Sequence, residues 1–229
     1  MATDIRHPQE QHSHGTVPSG PRVEQFWEKN SKAIIYGLLV VVLAVAGFFL
    51  YKNFVQAPEE QKAQEAMWKA EDYFRRDSAS LALNGDGASQ GFLKVIAKYG
   101  STKAGTLAKL YAGSCYLKLK DFNNAIKYLK DFSTDDKLIS VRAAGLLGDA
   151  YAETGKKAEA AEQYKKAGTL FPDDNINSPE YLFRAGLLYQ ELGKNSEAIS
   201  AFQTVKSKYS TSQRGMDIDK YLARLGSLN

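Results

Sequence analysis

The chain has 229 residues, of which 30 are Lys or Arg and 26 are Asp or Glu, so its net charge is +4. This small excess is not gathered into a cluster of basic and aromatic residues, which argues against nucleic acid as a partner. The single cysteine, Cys115, excludes an internal disulfide.

The N-terminal segment, residues 1–20, is rich in His, Gln, Ser, Gly and Pro and has few apolar side chains to bury. This composition predicts a disordered tail. The three histidines of the chain, His7, His12 and His14, all lie in it. Their spacing fits no tetrahedral zinc site, and a flexible segment does not hold ligands in place, so we expect no metal site.

An apolar segment follows the tail. Residues 33–51, between Lys32 and Lys52, carry no charge, and a helix of that length spans about 28 Å, close to the thickness of a hydrocarbon core. We therefore predict a transmembrane helix over 33–51, preceded by a short interfacial helix over 21–32, where apolar residues follow helical spacing. The side chains expected at the membrane interfaces are Phe26, Trp27, Lys32, Tyr51 and Lys52.

A cleaved signal peptide is the alternative interpretation of this segment, because Val55-Gln56-Ala57 resembles a cleavage site. Three features argue against it: the long sequence before the apolar run, the length of the run itself, and Pro58 directly after the candidate cut. We therefore predict an uncleaved anchor. Lysine and arginine are almost balanced on its two sides, so charge alone does not decide the orientation.

A periodic pattern of glycine, tyrosine and alanine occupies the rest of the chain. It returns at intervals of 35 and 38 residues, counted between Gly113, Gly148 and Gly186. This pattern resembles the tetratricopeptide repeat (TPR), a helix-turn-helix unit of nominally 34 residues. Each glycine is followed by an aromatic residue in the same helix and a small residue in the next, and these residues are Tyr116, Tyr151 and Tyr189, and Ala125, Ala160 and Ala198.

The small residues predict where the two helices of a unit approach each other. We expect each glycine of a first helix to lie where that helix approaches the second closely, with an alanine of the second helix as its small partner. The residues expected to fill the gaps between the helices are Tyr116, Tyr151 and Tyr189, with Leu129, Tyr164 and Phe202. Gly155 and Gly193 are expected to end first helices in the left-handed conformation. Ser178 and Pro179 are expected to begin the last repeat, as its N-cap and its first helical residue.

The predicted fold class is all-α, with an N-terminal transmembrane helix followed by a TPR-type α-solenoid and a C-terminal capping helix. Residues 52–102 form a linker helix and a degenerate TPR-like repeat, in which "SASLALNGDG" is an enlarged turn. The capping helix uses Ile218, Tyr221, Leu222 and Leu225 on its apolar side. The regular TPR units are predicted at 103–137, 138–176 and 177–212, and the cap at 213–229.

TPR arrays resemble one another in binding partners on the concave face of their first helices. Here that face mixes apolar, acidic and basic side chains, which favours an extended or helical protein segment as the ligand. TPR domains that hold a C-terminal carboxylate use Lys and Asn where this chain has Leu110 and Ser114, so that mode is not expected. The predicted groove residues are Leu110, Ser114, Leu117, Lys118, Arg142, Asp149, Glu153, Phe183, Leu187 and Gln190.

No catalytic pattern is found in the sequence. It lacks a carboxylate pair, a glycine-rich phosphate loop and any histidine after His14. Cys115 therefore has no histidine near it in sequence to activate it, and we interpret it as a buried structural thiol. We expect a binding protein that is not an enzyme and that uses no cofactor and no small-molecule substrate.

The layout resembles the YfgM-like family, single-span TPR proteins described as ancillary subunits of the SecYEG translocon. The resemblance rests on "VEQFWEKNSKAI" before the span, the span itself, the alanines Ala63, Ala66 and Ala70 after it, and the repeats. The histidine-bearing tail and the long "SASLALNGDG" turn depart from the family. The resemblance implies the bacterial inner membrane, a cytoplasmic N-terminus, a periplasmic TPR domain, and partnership with SecYEG and a PpiD-type membrane-anchored chaperone.

The expected function is therefore that of a membrane-anchored adaptor that binds proteins at the exit side of the translocon and assists their translocation and transfer to chaperones. Two alternatives remain open at this point. One is a periplasmic scaffold for envelope assembly, and the other is an import receptor that faces the cytosol from an organelle.

Overall fold

The computed structural model describes residues 21–227, with side chains from residue 26 onward. The predicted tail, 1–20, and its histidines lie outside the described residues. Within them, the regular elements are helices, and an isolated bridge between Gly85 and Gln90 is the one pairing of extended backbone. The prediction of an all-α fold is confirmed. The chain divides between Asn53 and Phe54 into two compact units, which are described separately.

Helix α1 (Pro21–Tyr51) contains the apolar segment. An 18-residue stretch of this helical region has a mean hydropathy of 2.8, and none of the stretch is buried. The helix is thus long and apolar enough to cross a membrane. The sequence predicts an interfacial helix that ends at residue 32 and a separate transmembrane helix from residue 33, but α1 continues through this point without a break. Near it, Asn30 donates its side-chain N–H to the carbonyl of Phe26 (3.0 Å) within the helix.

The second unit is a series of helices in which each packs against the next along the chain. A π-helical segment, Lys52–Gln56, precedes the first of them. The first helices of the successive units are α2, α5, α7 and α9, and α11 takes the same position at the C-terminal end. The bounds are α2 Ala57–Arg75, α3 Ala79–Asn84, α4 Phe92–Tyr99, α5 Lys103–Lys118, α6 Phe122–Lys130, α7 Lys137–Glu153, α8 Lys157–Leu170, α9 Asn177–Glu191, α10 Asn195–Lys208, α11 Gln213–Asp217 and α12 Asp219–Arg224.

The closest contacts of the regularly spaced glycines are with large side chains of the second helix. A Cβ on Gly113 would lie 2.5 Å from the side chain of Leu129, and one on Gly186 would overlap the ring of Phe202. Gly148 has the same relation to Tyr164, at 2.6 Å. The glycines therefore make space for the bulky residues that fill the gap between the two helices, and the alanines of the second helices are buried in the same core.

Each turn that follows one of the first helices α2, α5, α7 and α9 contains one position in the left-handed conformation. Gly155 and Gly193 occupy it with φ of +74° and +72°, as predicted. In the equivalent turns after α2 and α5, Asp77 and Lys120 take the same conformation with φ of 59° and 61°. These two non-glycine residues carry a steric cost that the glycines avoid.

The start of α9 differs from its predicted arrangement. The helix begins at Asn177, and its cap is the carboxylate of Asp174, which accepts hydrogen bonds from the backbone N–H groups of Ile176 (3.0 Å) and Asn177 (2.8 Å). The expected cap, Ser178, is buried and donates its hydroxyl to the carbonyl of Phe171 (2.9 Å). An aspartate three residues before the helix start has the better reach to the free N–H groups.

The predicted enlarged turn in the degenerate repeat contains a helix, α3. Its alanines and Leu83 face the core, because Ala79, Ala82 and Leu83 have the spacing of one helical face. The loop that follows is held by the phenolic O–H of Tyr73, which donates to Asp86 (2.7 Å). The second helix of this unit is therefore divided into α3 and α4.

The C-terminal end is closed by α11 and α12. Ile218 and Leu222 are buried among the side chains of α9 and α10, and Tyr221 packs edge-on against Phe183 with ring centroids 4.8 Å apart. The apolar side predicted for the cap is thus the side that covers the last repeat.

Candidate protein-binding groove

The first helices α2, α5 and α7 enclose a surface depression of about 340 Å³, which we call the α5–α7 groove. It brings together six of the predicted groove residues, three from α5 and three from α7. It also includes Phe74, Phe122 and Leu146, which the positional rule did not select. The six predicted residues are Ser114, Leu117, Lys118, Arg142, Asp149 and Glu153.

One wall of the groove is aromatic and carries a positive charge. Phe74 of α2 packs against Phe92 and Tyr111, with ring centroids 6.3 and 5.1 Å away. The Lys118 ammonium lies 5.1 Å from the centre of the Phe74 ring and forms an ion pair with Asp77. This pair holds Lys118 over the ring, so the wall combines an apolar surface with a fixed cation.

The opposite wall belongs to a network of charged side chains that joins three first helices. Asp149 accepts hydrogen bonds from the O–H of Tyr164 (2.7 Å) and from the Arg184 guanidinium (3.1 Å). Arg184 also donates to Glu180 (2.9 Å), which accepts a further bond from Arg214 (2.6 Å). Asp149 is therefore occupied within the protein and is a poor candidate for direct partner contact.

The pKa values in this network follow from burial and from the neighbouring charges. Burial and the hydrogen bond to Asp149 raise the pKa of Tyr164. Partial burial favours the neutral form of Glu180, but the guanidinium groups of Arg214 and Arg184 outweigh it and hold its pKa below the usual value. Both residues thus keep their ordinary charge states at neutral pH.

Arg142 and Glu153 are exposed charged residues of the groove, in addition to Lys118. They lie on the same helix, α7, near its beginning and at its end. Neither forms an ion pair with another of the described residues. They are therefore free to contact a bound segment, one through a positive and the other through a negative charge.

The remaining predicted groove residues lie elsewhere. Leu110 and Phe183 are buried in the core, with 5% and 4% of their surface exposed. Phe183 is covered by Tyr221 and by the Arg214 guanidinium, which lies 4.2 Å from its ring centre, so the prediction that it contacts a partner is wrong. Leu187 is exposed and Gln190 is half-buried on α9, outside the α5–α7 groove.

The residues predicted for the membrane interface are all exposed. Phe26, Trp27 and Lys32 lie on α1, and Tyr51 is its last residue. Lys52 begins the π-helical segment. Their exposure is compatible with contact to lipid headgroups.

The cysteine has no features of a reactive nucleophile. Cys115 is fully buried. Burial raises the pKa of its thiol to about 12, against a smaller opposing effect of the Lys118 charge. Thiolate is the reactive form of cysteine. The prediction that Cys115 is buried is confirmed.

Comparison with known families agrees with this architecture. A profile described as a tetratricopeptide repeat-like domain matches residues 24–137, which include most of α1, the degenerate repeat and the first regular hairpin. Two tetratricopeptide repeat profiles match residues 112–175 and 180–212. The chain is a tetratricopeptide-repeat protein. Such proteins bind protein partners and are generally scaffolds without catalytic activity. No curated protein matches this TPR protein significantly.

Solved structures share the fold of the TPR protein. A crystal structure of MamA aligns with a TM-score of 0.52 and 21% sequence identity, and the alignment covers 69% of this chain and 85% of that chain. A second MamA crystal structure aligns with a TM-score of 0.51 and 18% identity, and covers 72% of this chain and 87% of that chain. A crystal structure of nearly identical TPR-like repeats of a kinesin light chain from Podosopora anserina aligns with a TM-score of 0.52 and 15% identity. This alignment covers 72% of this chain and 85% of that chain. At these identities the likeness concerns the fold alone.

Proposed function

We propose that the TPR protein is a membrane-anchored adaptor that binds protein segments in the α5–α7 groove at the exit side of the Sec translocon. The observation that carries the proposal is the joint presence of an exposed groove on the repeat domain and of a helix with a long apolar stretch shortly before that domain. The groove supplies binding, and the helix supplies the location.

The chemistry of the groove favours a short segment with apolar side chains and flanking polar groups. Phe74, Leu117 and Leu146 offer apolar contacts, while Arg142 and Glu153 lie on its border. Apolar contacts can be made with bound segments of many different sequences. The opposite charges of Arg142 and Glu153 exclude few of these segments. The groove is therefore suited to transient binding of many different chains.

Attachment to the membrane makes weak binding useful. A binding site tethered near a channel meets emerging chains at an effective concentration that reaches the millimolar range for short tethers. Modest affinity is then sufficient for capture, and it allows release to the next protein.

The partners and the topology in this proposal come from the resemblance to the YfgM-like family. They are SecYEG, a PpiD-type membrane-anchored chaperone, a cytoplasmic N-terminus and a periplasmic repeat domain in the bacterial inner membrane. The segment that carries most of this resemblance, residues 23–34, lies in α1, next to the apolar stretch.

The decisive experiment is purification of the tagged full-length protein in mild detergent at native expression level, followed by mass spectrometry. Enrichment of translocon subunits and a periplasmic prolyl-isomerase-type chaperone supports the proposal. Recovery of envelope-assembly or organelle proteins in their place contradicts the translocon role and leaves an anchored TPR adaptor of another pathway.

Variants of the groove test which surface binds. In the double variant Leu117→Ala/Leu146→Ala, we expect the amount of soluble partner protein that is purified with the TPR protein to fall severalfold. The reason is that two apolar side chains that line the groove become smaller. The matched control is Leu81→Ala/Leu192→Ala, which removes two exposed leucines outside the groove that are not among the predicted binding residues. Circular dichroism must show equal helix content for both variants, and equal recovery from both would exclude the groove as the binding surface.

A further inference from the structure

A cleft lies between the second helices α6 and α8, over the first helix α7. Its volume is about 450 Å³, and we call it the α6–α8 cleft. It uses a different face of α7 from the α5–α7 groove, which is lined by Arg142, Leu146 and Glu153 among others. A molecule bound in the cleft therefore leaves the groove free. The residues of α7 that line the cleft are Ser140, Ala143, Ala144, Leu147 and Tyr151.

Two features of the sequence leave this space open. Helices α6 and α8 begin one repeat interval apart, at Phe122 and Lys157, but α6 has 9 residues and α8 has 14. In addition, Ala144 occupies the position that Leu182 has in α9, the next first helix. Leu182 is buried and lies against Gly168, and the corresponding depression between α8 and α10 has a volume of only about 230 Å³. The short helix and the small side chain thus create the cleft.

The interior of the cleft is apolar and narrow. Its floor is formed by Ala143, Ala144 and Leu147, which are 8%, 5% and 8% exposed. Phe132 and Leu170 line it as well and are half-buried. Because so little of the floor is accessible, the cleft offers contact area for one large apolar side chain and not for an extended acyl chain.

Lysines form the border of the cleft. Lys130, the last residue of α6, and Lys166 of α8 line it from its two sides and are exposed. Neither forms an ion pair with another described residue. Lys127 and Lys165 are exposed beside them on the same helices. Among the described residues that line the cleft, none is an aspartate or a glutamate.

Most of the acidic side chains close in sequence to these lysines already have partners. Asp131 forms an ion pair with Lys109 (2.7 Å), and Glu162 accepts a hydrogen bond from a tyrosine O–H of α9 (2.7 Å). Asp136 caps the start of α7. Asp135, in the loop between α6 and α7, is exposed. The lysines at the border therefore outnumber the carboxylates that can compensate them, and the cleft is complementary to a negatively charged ligand.

We propose that the α6–α8 cleft is a second protein-binding site, which takes an acidic segment. The segment inserts one large apolar side chain between α6 and α8, and its carboxylates pair with Lys130 and Lys166. Since the cleft and the α5–α7 groove use different faces of α7, the protein can hold two chains at once, as an adaptor requires. This inference depends neither on the translocon nor on the membrane.

Fluorescence anisotropy with the full-length protein in a nonionic detergent tests the proposal. The probe is a rhodamine-labelled peptide with one phenylalanine between two runs of glutamate. Control probes carry glutamine in place of glutamate, or alanine in place of phenylalanine. We expect saturable binding that weakens with added salt, and severalfold weaker binding of both control probes. No binding of the acidic peptide at low salt, or equal binding of the glutamine probe, contradicts the proposal.

Charge reversal locates the binding site. Lys130→Glu/Lys166→Glu should weaken binding of the acidic peptide by about tenfold or more, because repulsion replaces attraction. The matched control is Lys94→Glu/Lys98→Glu, which changes the net charge equally at two exposed lysines of α4 outside the cleft. A peptide with lysine in place of glutamate should bind better to the first variant than to the wild type. Equal weakening in both variants reflects net charge alone and overturns the proposal.

Ala144→Leu tests the apolar interior, because it fills the cleft with the side chain that α9 carries at Leu182. Binding of the acidic peptide should fall severalfold at unchanged helix content by circular dichroism, and unchanged binding contradicts the proposed insertion. If this variant does not fold, the lysine variants, which alter only exposed side chains, decide the question. Binding of laurate without binding of the peptide identifies a site for small amphiphiles and also overturns the proposal.

The groove variant Leu117→Ala/Leu146→Ala separates this inference from the proposed function. It should leave the affinity for the acidic peptide unchanged, because neither leucine lines the cleft. Weaker peptide binding in this variant contradicts a separate site. Loss of partners from the groove variant together with failure of the peptide to bind the wild type would contradict the cleft alone and leave the groove intact.

Discussion

Single residues in left-handed turns determine part of the stability of each hairpin. Lys120 occupies, with φ of 61°, the position that Gly155 fills in the next unit. The left-handed conformation disfavours a side chain because Cβ approaches the backbone oxygen. In the degenerate repeat Asp77 has the same left-handed conformation, which an aspartate adopts more readily than a lysine, and it also forms an ion pair with Lys118.

Replacing Lys120 with glycine should therefore stabilise the protein. The expected gain is about 0.5 to 1 kcal/mol, because relief of the left-handed strain exceeds the entropy lost by glycine on folding. Gly155→Ala should lower stability by a similar amount. Thermal unfolding followed by circular dichroism would show the two effects as shifts of opposite sign, and a lower Tm for Lys120→Gly would refute the explanation.

A second residue-scale prediction concerns the glycines under the bulky side chains. Gly186→Ala should destabilise by about 1 to 3 kcal/mol, since its Cβ would overlap the Phe202 ring. The double variant Gly186→Ala/Phe202→Leu should recover part of the loss relative to the sum of the two single variants. Urea unfolding of all three measures the coupling, and strict additivity would show that the contact is not the cause.

Among the helices, α9 shows how an element's start depends on a residue outside it. Asp174→Ala should cost about 1 kcal/mol, because two backbone N–H groups lose their acceptor. Asp173→Ala is the matched control, since Asp173 is exposed and forms no comparable cap among the described residues. Hydrogen exchange should increase in the first turn of α9 in the first variant only, and equal exchange in both would argue against the cap.

At the element scale, helix positions can be predicted from the sequence better than helix contacts. The glycine and tyrosine spacing identifies the regular hairpins because one face of each helix must be apolar. It does not reveal α3, since a short helix with two alanines and Leu83 resembles a turn when it is followed by "NGDG". It also misses Asp174, because Ser178-Pro179 is the stronger local pattern for a helix start.

On the scale of the whole molecule, Glu180 connects the last repeat with its neighbours. Its carboxylate binds Arg184, which reaches Asp149 of α7, and Arg214 of α11. The pKa of Glu180 is lowered in the folded state, so the stabilisation is present above the unfolded pKa and is lost as the pH falls through the lower, folded value.

Glu180→Gln should therefore flatten the acid dependence of stability. The wild-type protein should lose stability as the pH falls below about 4.5, the ordinary pKa of a glutamate, and the variant should lose less over the same interval. Urea unfolding at a series of pH values measures this, with Glu159→Gln, an exposed glutamate of α8, as the control. An identical acid dependence in wild type and Glu180→Gln would contradict the role of the network.

The sequence by itself determined the all-helical fold, the repeat period, the apolar helix and the buried state of Cys115. Each of these follows from the local composition and spacing of side chains. Only the tertiary structure decided the surfaces. It placed Phe74, Phe122 and Leu146 in the groove and put Phe183 beneath Arg214 and Tyr221, because the contacts of these residues depend on helices far away in the chain.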